Sequence, residues 1–207
     1  MDQRTDEWYE ARLGKVTASR VADVIAKTKS GYSTSRANYM ATLICERLTR
    51  KRGDSFQSAA ILWGVEQEAN ARTAYEVSTG ALVVETGFIP HGSIAMSGAS
   101  PDGLVGDDGL IEIKCPLTAT HIDTLLSGSV DGKYVTQIQW QLTCTGRQWC
   151  DYVSYDPRLP PNMQLFIKRI PRDNAMIEHL EHEVKLFLDD LDWKIRDLVS
   201  QYGEPNV

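Results

Sequence analysis

The stretch that decides the fold runs from position 100 to 115 and reads Ser-Pro-Asp-Gly-Leu-Val-Gly-Asp-Asp-Gly-Leu-Ile-Glu-Ile-Lys-Cys. Two short apolar runs flank a turn of Asp and Gly residues, a pattern typical of a β-hairpin. Because successive side chains of a strand point to opposite faces, Glu112 and Lys114 are predicted to share one face, with the neighbouring isoleucines on the other. The sequence therefore predicts a carboxylate and an ammonium group side by side.

The turn leaves the pairing of the two strands open between two registers. A plain two-residue loop places Asp102 opposite Ile113, whereas a bulge at Gly109 places Asp102 opposite Glu112. Either register brings Asp102, Glu112 and Lys114 near one point. The two carboxylates and the Ile113 carbonyl are hard oxygen donors that suit a divalent cation such as Mg²⁺, and Lys114 would lie beside the metal-bound water.

The composition of the chain is that of an ordinary globular protein. It has 207 residues, 42% of them apolar and 24% charged, and we expect one domain over residues 1–207. No run approaches the ~20 apolar residues that a membrane helix needs, and the polar start is no signal peptide. The four cysteines lie far apart, which favours free thiols in a reducing compartment. We therefore expect a cytoplasmic protein with no membrane partner.

Charge is distributed unevenly along the chain, and its distribution matters more than the formal total of -6. An acidic total argues against a protein whose whole surface binds nucleic acid. Residues 1–52, however, hold eleven basic and six acidic residues, whereas residues 173–207 hold three basic and nine acidic. The N-terminal part can therefore face phosphate, and the composition excludes only a uniformly basic DNA-coating protein.

Hydrophobic periodicity and turn residues predict an α/β (α+β) fold, with a central mixed β-sheet flanked by helices and a long C-terminal helix. The predicted helices cover residues 5–13, 38–50, 57–79, 131–145 and 173–202, and a further short one starts near 17–19. The predicted strands cover residues 81–89, 94–98, 103–105, 110–115, 150–155 and 164–170, and residues 27–37 are predicted to form a loop. These elements divide the domain into a helical part at about 1–80, a sheet core at about 81–170 and the C-terminal helix. The last helix is predicted to bury an apolar stripe of Ile177, Leu180, Val184, Phe187, Leu191, Ile195 and Leu198.

Several short motifs resemble those of known nucleases. Pro101-Asp102, followed after nine residues by Glu112-Ile113-Lys114, has the form of the PD-(D/E)XK nuclease signature. Further motifs resemble the lambda-exonuclease, or YqaJ-type viral recombinase, family of that superfamily. They lie, in the family order, at residues 8–19, 62–72, 98–104, 110–116, 137–140 and 155–158. The resemblance spans about residues 6–160 and implies a core like that of restriction endonucleases.

The resemblance also implies an activity. Members of this family are metal-dependent exonucleases of phage or prophage recombination, which digest one strand of linear duplex DNA 5′→3′, release 5′-mononucleotides and leave 3′ overhangs. For this chain the resemblance implies a homotrimeric ring around DNA, a single-strand annealing partner protein and the cytoplasm of a bacterial host. Two divalent ions, Mg²⁺ or its substitute Mn²⁺, can supply the chemistry of phosphodiester hydrolysis.

Site residues follow from the resemblance position by position. Asp102 and Glu112 match the metal-binding carboxylates, the Ile113 carbonyl matches a backbone ligand, Lys114 matches the catalytic lysine and Glu68 matches a further acidic residue. The positions that match contacts to DNA phosphate are Arg12, Ser19, Ser100 and Gln139. Of these, Arg12 is the candidate for the terminal 5′-phosphate, which a guanidinium can bind bidentately. Ile61 is the apolar candidate for strand separation.

Other interpretations stay open from the residues alone. Ser-Pro-Asp-Gly is also a good type I turn, and Ile-Glu-Ile-Lys an ordinary half-exposed strand with a surface ion pair. Lys114 can act electrostatically, or as a base if burial lowers its pKa. Glu68, and Gln137, Gln139 and Gln141 on a later helix, can be polar helix surface. The rival functions are another PD-(D/E)XK nuclease, either an endonuclease or a repair exonuclease of different polarity, and a non-catalytic DNA-end-binding recombination module.

Overall fold

The computed structural model describes residues 2–29, 31–53 and 58–205. In this part of the chain the helices are α1 (Asp6–Arg12), α2 (Val21–Ile25), α3 (Thr34–Thr49), α4 (Ala59–Thr79), α5 (Thr118–Ser127), α6 (Gly132–Thr145) and α7 (Asn174–Tyr202). The strands are β1 (Val16–Thr17), β2 (Lys27–Thr28), β3 (Gly31–Tyr32), β4 (Val83–Val84), β5 (Ile89–Pro90), β6 (Ser97–Ala99), β7 (Gly103–Val105), β8 (Gly109–Lys114), β9 (Trp149–Tyr155) and β10 (Leu165–Pro171). Short 3₁₀ turns lie at Ala18–Arg20 and Pro161–Met163.

A five-stranded sheet with the order β10-β9-β8-β7-β4 carries the hairpin on which the site is built. β8 and β9 run parallel and the other neighbours run antiparallel, so the sheet is mixed. Parallel neighbours need a crossover connection, which α5 and α6 supply between β8 and β9. Apolar clusters join α4 to one face of the sheet and α6 to the other. The predicted mixed sheet flanked by helices is thus confirmed.

The hairpin of β7 and β8 adopts the second of the two predicted registers. Gly103 lies opposite Ile111, so Asp102, one position earlier, comes level with Glu112. The left-handed residue of the turn is Gly106, at φ 54°, which lies three positions before the predicted bulge. The loop therefore closes with three residues instead of two, and this sets the register.

The N-terminal helices and α7 enclose an apolar cluster next to the sheet. α7 buries Ile177, Leu180, Val184, Phe187 and Leu191, as its apolar stripe predicts, and Ile195 packs at the edge of the cluster. Leu198, by contrast, is 37% exposed, because the cluster ends before the last turns of the helix. Within the described ranges, no helix combines the length and the apolar composition that a membrane span requires.

Two predicted strands and one predicted loop differ from the structure. The predicted strand at 81–89 is two short strands, β4 and β5, which belong to different sheets. The predicted strand at 94–98 starts later, at Ser97, because a turn closed by a hydrogen bond from Ser97 N to Ile94 O precedes β6. The predicted loop at 27–37 contains the β2–β3 pair and the first turn of α3, which Ser33 caps.

Helix α5 is an element that the sequence reasoning did not predict. Its ten residues include three threonines, and no side chain caps its N-terminus, so its intrinsic propensity is weak. Fully buried His121 anchors it to the sheet: Nδ1 lies 2.7 Å from Ser154 Oγ, and Nε2 lies 2.9 Å from the Met163 carbonyl oxygen. Tertiary contacts therefore stabilise this helix.

Candidate active site

A turn and a strand bring the predicted charged residues together. Asp102 precedes β7, and its Oδ2 accepts a 2.6 Å hydrogen bond from the backbone N–H of Ile113 on β8. Glu112, on the face of β8 that α6 covers, is 1% exposed. Alternation along the strand places Lys114 on the same face. The three side chains named by the sequence thus meet at the end of β8.

Helix α6 surrounds the Glu112 carboxylate with hydrogen-bond donors. Gln137 Nε2 donates to Oε1 and Gln141 Nε2 donates to Oε2, each at 2.6 Å. Lys114 Nζ lies 2.5 Å from the same Oε1. The two glutamines stand one helical turn apart, so both reach one strand residue. The Gln141 side chain is fully buried, and its Oε1 has no hydrogen-bond partner among the described residues.

Burial and neighbouring charges perturb the pKa values of Asp102 and Lys114. Burial first, and then repulsion from Glu112, raise the pKa of Asp102 well above its usual value. Burial acts to lower the pKa of Lys114, but the neighbouring Glu112 and Asp102 outweigh it and raise that pKa above its usual value. Lys114 is therefore a cation in this arrangement, which favours an electrostatic role over that of a base.

The oxygen atoms at this point fit a hard divalent cation. Asp102 and Glu112 supply carboxylate oxygens and Ile113 supplies a backbone carbonyl, the donor types that Mg²⁺ takes in proteins. A cation would also relieve the mutual repulsion that raises the pKa of Asp102. In the described ranges, no three side chains of His, Cys, Asp or Glu are grouped closely enough to hold an ion. A cation here would therefore take two carboxylates from the protein, with the Ile113 carbonyl as the candidate for a third donor.

Glu68 lies on α4, with its carboxylate in ion pairs. Arg4 Nη2 pairs with Oε2, and Arg72 Nη2 lies 3.4 Å from Oε1. One turn earlier on the same helix, Gly64 approaches the end of β8, where a Cβ on this glycine would lie 4.0 Å from the Cys115 carbonyl oxygen. Glu68 is thus on the helix face that is turned towards the hairpin, but arginines rather than the hairpin carboxylates are its partners.

Ser100 connects the hairpin to α1. Its Oγ accepts hydrogen bonds from Arg12 Nη1 at 2.9 Å and from Trp8 Nε1 at 3.0 Å. The Arg12 guanidinium also lies 4.1 Å from the centre of the Trp8 ring, a cation–π contact that orients it. Helix α1 presents both residues on one face, because they stand four positions apart and Thr5 caps the helix. Burial lowers the pKa of Arg12 to about 10, so the group stays charged at neutral pH.

Arg12 borders a cavity of about 520 Å³. Ser19 and Ile61 also line it, and both are exposed, Ile61 to 52%. Glu46 is the one acidic residue among its described lining residues. The basic lining residues are Arg4, Arg12, Lys15, Arg20 and Arg52. The basic surplus of residues 1–52 therefore concentrates at this cavity, next to Ser100 and the carboxylates.

The structure places Gln139 away from the cavity. Its side chain is 1% exposed, its Nε2 donates to the Pro171 carbonyl oxygen at 2.8 Å, and its Oε1 accepts from the Asp173 backbone N–H at 2.9 Å. These bonds join α6 to the end of β10 and the start of α7. Both ends of the amide are therefore used by the backbone, which gives Gln139 a structural position instead of the predicted contact with DNA phosphate.

Sequence reasoning missed the partners of the charged residues. Gln137 and Gln141 differ from a plain polar helix face only in standing one turn apart beside a buried strand, and that spacing was the available signal. Trp8 stands one turn before Arg12, so the same spacing could have linked these two residues. In both cases the spacing defines a helix face, but only the fold says what that face meets.

Comparisons with known proteins identify the family and the fold of this chain. Residues 7–148 match the family model of the YqaJ-like viral recombinase domain. Two crystal structures of LHK-Exo, an alkaline exonuclease from Laribacter hongkongensis, are 54% identical in sequence to this chain. The matches cover 95% of this chain and 97% of the LHK-Exo chain. The TM-score is 0.90 for the complex with dAMP and 0.89 for the other structure. A crystal structure of a phage-related exonuclease from Haemophilus somnus 129PT has the same fold at 16% identity, with a TM-score of 0.73 over 89% of this chain and 96% of its own. No curated protein sequence matches. The chain is a homologue of an alkaline exonuclease and belongs to the YqaJ-like viral recombinase family, as its motifs predict.

Proposed function

We propose that this protein is a metal-dependent 5′→3′ exonuclease that acts on linear double-stranded DNA, releases 5′-mononucleotides and leaves 3′ overhangs for phage-type single-strand-annealing recombination. The observation that carries the proposal is the position of the 100–102 turn. Ser100 contacts Arg12 at the basic cavity, and Asp102 stands beside Glu112 and Lys114. An end phosphate bound by Arg12 would thus lie next to the carboxylates. A homologue crystallised with dAMP, a nucleoside monophosphate, supports mononucleotide release.

The roles of the hairpin residues follow from their chemistry. Asp102, Glu112 and the Ile113 carbonyl would hold Mg²⁺, with Mn²⁺ as a substitute and two ions as the expected number. When bound, such ions supply charge neutralisation at the phosphate and a water of lowered pKa. The two α6 glutamines keep the Glu112 carboxylate in one orientation. Lys114 adds positive charge where the scissile phosphate gains negative charge.

Arg12 sets the proposed polarity. Its guanidinium fork can hold a terminal 5′-phosphate with two parallel hydrogen bonds, and the hydroxyl groups of Ser100 and Ser19 are further donors. With that phosphate fixed, the next phosphodiester along the strand would meet the carboxylates, so that one nucleotide is released per cut. Ile61, exposed on the same cavity, would separate the two strands.

The proposed assembly is that of the family. We expect a homotrimeric ring around DNA and a single-strand annealing protein that receives the 3′ overhang, in the cytoplasm of a bacterium that carries the phage or prophage. The acidic excess of residues 173–207 suits the outside of such a ring, away from DNA.

The test uses one DNA sequence in two forms, a 5′-labelled linear duplex with 5′-phosphate ends and a covalently closed circle, each with and without Mg²⁺. We expect Mg²⁺-dependent release of the 5′ label as mononucleotide, retention of a 3′ label in long fragments, and an intact circle. Cleavage of the circle would favour an endonuclease, and early release of the 3′ label the opposite polarity. Binding without any release would favour the non-catalytic end-binding module.

A further inference from the structure

The N-terminal segment, residues 2–5, is bonded directly to the proposed site. Gln3 Nε2 donates to the carbonyl oxygens of Pro101, at 2.7 Å, and Thr86, at 3.0 Å. The first of these bonds places the segment one residue from Asp102. Just before α1, the chain therefore lies against the 100–102 turn, which carries the predicted metal ligand Asp102.

Arg4 is the residue of this segment that reaches both the site and the cavity. Its guanidinium pairs with Glu68, and its side chain lines the same cavity as Arg12. The side chain is 42% exposed, and the backbone adopts φ 68°, a left-handed conformation that non-glycine residues rarely take. Arg4 is therefore a partly exposed side chain on a backbone conformation that costs free energy relative to the extended and helical ones.

Two arginines contact the Glu68 carboxylate, and one of them is shared with a second carboxylate. The two are Arg4 and Arg72, and the side chain of Glu68 is only 18% exposed. Arg72 stands one turn further along α4, is 15% exposed and also pairs with Glu85. A divalent cation at the hairpin would add further positive charge nearby, and Glu68 can turn towards it only if an arginine yields. Arg4 has the more exposed side chain and lies before α1, whereas Arg72 lies within α4, so Arg4 is the better candidate to yield.

We propose that Arg4 is an exchangeable counter-ion of Glu68: it holds this carboxylate in the metal-free protein, and a divalent cation bound at Asp102 and Glu112 displaces it towards DNA phosphate in the cavity. The inference rests on the proposed metal-dependent function and adds a coupling to it. Because Arg4 opposes metal binding while it sits on Glu68 and favours DNA binding once released, DNA and metal each strengthen binding of the other. Such coupling is reciprocal by thermodynamic necessity.

The test measures Mn²⁺ binding to the full chain without DNA, by electron paramagnetic resonance of the free ion. Because an exposed ion pair contributes little free energy, we expect Arg4→Gln to bind Mn²⁺ only about 2- to 5-fold more tightly. Arg20→Gln is the matched control, because Arg20 lines the same cavity but pairs with Asp23. It should change the affinity less, although it removes the same charge. In a Glu68→Gln background, Arg4→Gln should have no further effect.

The second measurement adds a 5′-phosphorylated duplex with non-hydrolysable phosphorothioate linkages at its ends. In the unsubstituted protein this DNA should tighten Mn²⁺ binding, and in Arg4→Gln the DNA-dependent gain should shrink. If Arg4→Gln fails to fold by circular dichroism, Arg4→Lys replaces it. It keeps the charge but loses the guanidinium fork, and it should show a smaller shift in the same direction.

Three results would overturn the inference. They are an unchanged or weaker Mn²⁺ affinity in Arg4→Gln, an equal shift in Arg20→Gln, and a full Arg4→Gln shift in the Glu68→Gln background. Absence of Mn²⁺ binding in every chain, the unsubstituted one included, would instead contradict the metal-dependent function on which the inference rests. If Glu112→Gln abolishes Mn²⁺ binding while Arg4→Gln leaves it unchanged, the metal-dependent function is supported and the exchange of Arg4 is refuted.

Discussion

The glutamines Gln137, Gln139 and Gln141 of α6 form a matched set of substitutions that separates activity from stability. Leucine in place of each keeps the size and the helix propensity and removes the amide. At the first and third positions this removes one donor each from Glu112. At the middle position it removes two hydrogen bonds to the backbone between β10 and α7. We predict that Gln137→Leu and Gln141→Leu lower the rate of mononucleotide release and that Gln139→Leu lowers only the stability.

The magnitudes follow from the contacts. A hydrogen bond to a charged group contributes about 1.5–3 kcal/mol. If that energy is lost in the transition state, at about 1.4 kcal/mol per tenfold, Gln137→Leu should lower kcat about 10- to 150-fold. Gln141→Leu should lower kcat similarly. It also removes Gln141 Oε1, a buried oxygen with no hydrogen-bond partner among the described residues, so the loss of folding free energy is partly offset.

For Gln139→Leu the expected cost lies in folding. The carbonyl of Pro171 and the N–H of Asp173 lose their partner, but both residues are exposed, so water can replace the amide. An unsatisfied buried polar group costs about 1–3 kcal/mol, and we expect the low end here, about 1 kcal/mol for each bond and about 2 kcal/mol in all. In a chain of this length that corresponds to a Tm lower by about 4–8 °C.

The assay pairs initial rates of mononucleotide release at saturating DNA with thermal unfolding followed by circular dichroism. Each leucine variant serves as the control for its neighbours, since all three lie on one helix. Gln139→Leu with a tenfold loss of rate at unchanged Tm would refute its structural position and restore it as a DNA contact. Gln137→Leu with an undiminished rate would refute the argument that the glutamines orient Glu112.

Three further predictions concern charges. Lys114→Ala should lower Mg²⁺-dependent digestion about 10²- to 10⁴-fold, while duplex binding in a gel-shift assay survives. The control is Lys133→Ala, which removes a more exposed cation next to the same Tyr134 ring and should keep the rate. Undiminished turnover of Lys114→Ala would contradict its role. Arg12→Ala should erase the preference for 5′-phosphorylated over 5′-hydroxyl ends, measured as the ratio of the two digestion rates. The control Arg20→Ala should keep that ratio. An unchanged ratio in Arg12→Ala would exclude Arg12 as the end-binding residue. Because the folded-state pKa of Asp102 is raised, its ionisation opposes folding, so metal-free stability falls as pH rises from the unfolded value of about 3.9 through the folded one. Asp102→Asn should therefore raise the metal-free Tm at pH 8 and change it little at pH 3, and a lower Tm at pH 8 would refute the sign of the shift.

The β7–β8 hairpin shows which features of the site a local sequence pattern predicts. Alternation along one strand predicts that Glu112 and Lys114 share a face, and the structure agrees because strand geometry is a property of the backbone. The register stays open in the sequence between a plain two-residue loop and a bulge at Gly109, because the turn residues alone do not fix the length of the loop. Gly106 takes the left-handed position, and Asp102 consequently comes level with Glu112.

Elements that depend on partners far along the chain were harder to predict. The run at 81–89 is rich in strand-forming residues, yet it is divided between two sheets, because β4 pairs with β7 and β5 pairs with β6. Helix α5 has little propensity of its own and exists because His121 is bonded to Ser154 and Met163. Pairing partners far along the chain decided both cases.

Short-range periodicity, charge distribution and motif order were enough to place Asp102, Glu112 and Lys114 together, to locate the basic surplus before residue 53 and to name the family. These properties depend on neighbours in the chain, whose relative positions are set by backbone geometry. The contacts that complete the site depend on the packing of distant elements. Ser100 meets Arg12 across 88 positions, and Arg4 meets Glu68 across 64. Such contacts form only where helices and strands dock, because a periodic pattern defines a face and contains no information about what will cover it.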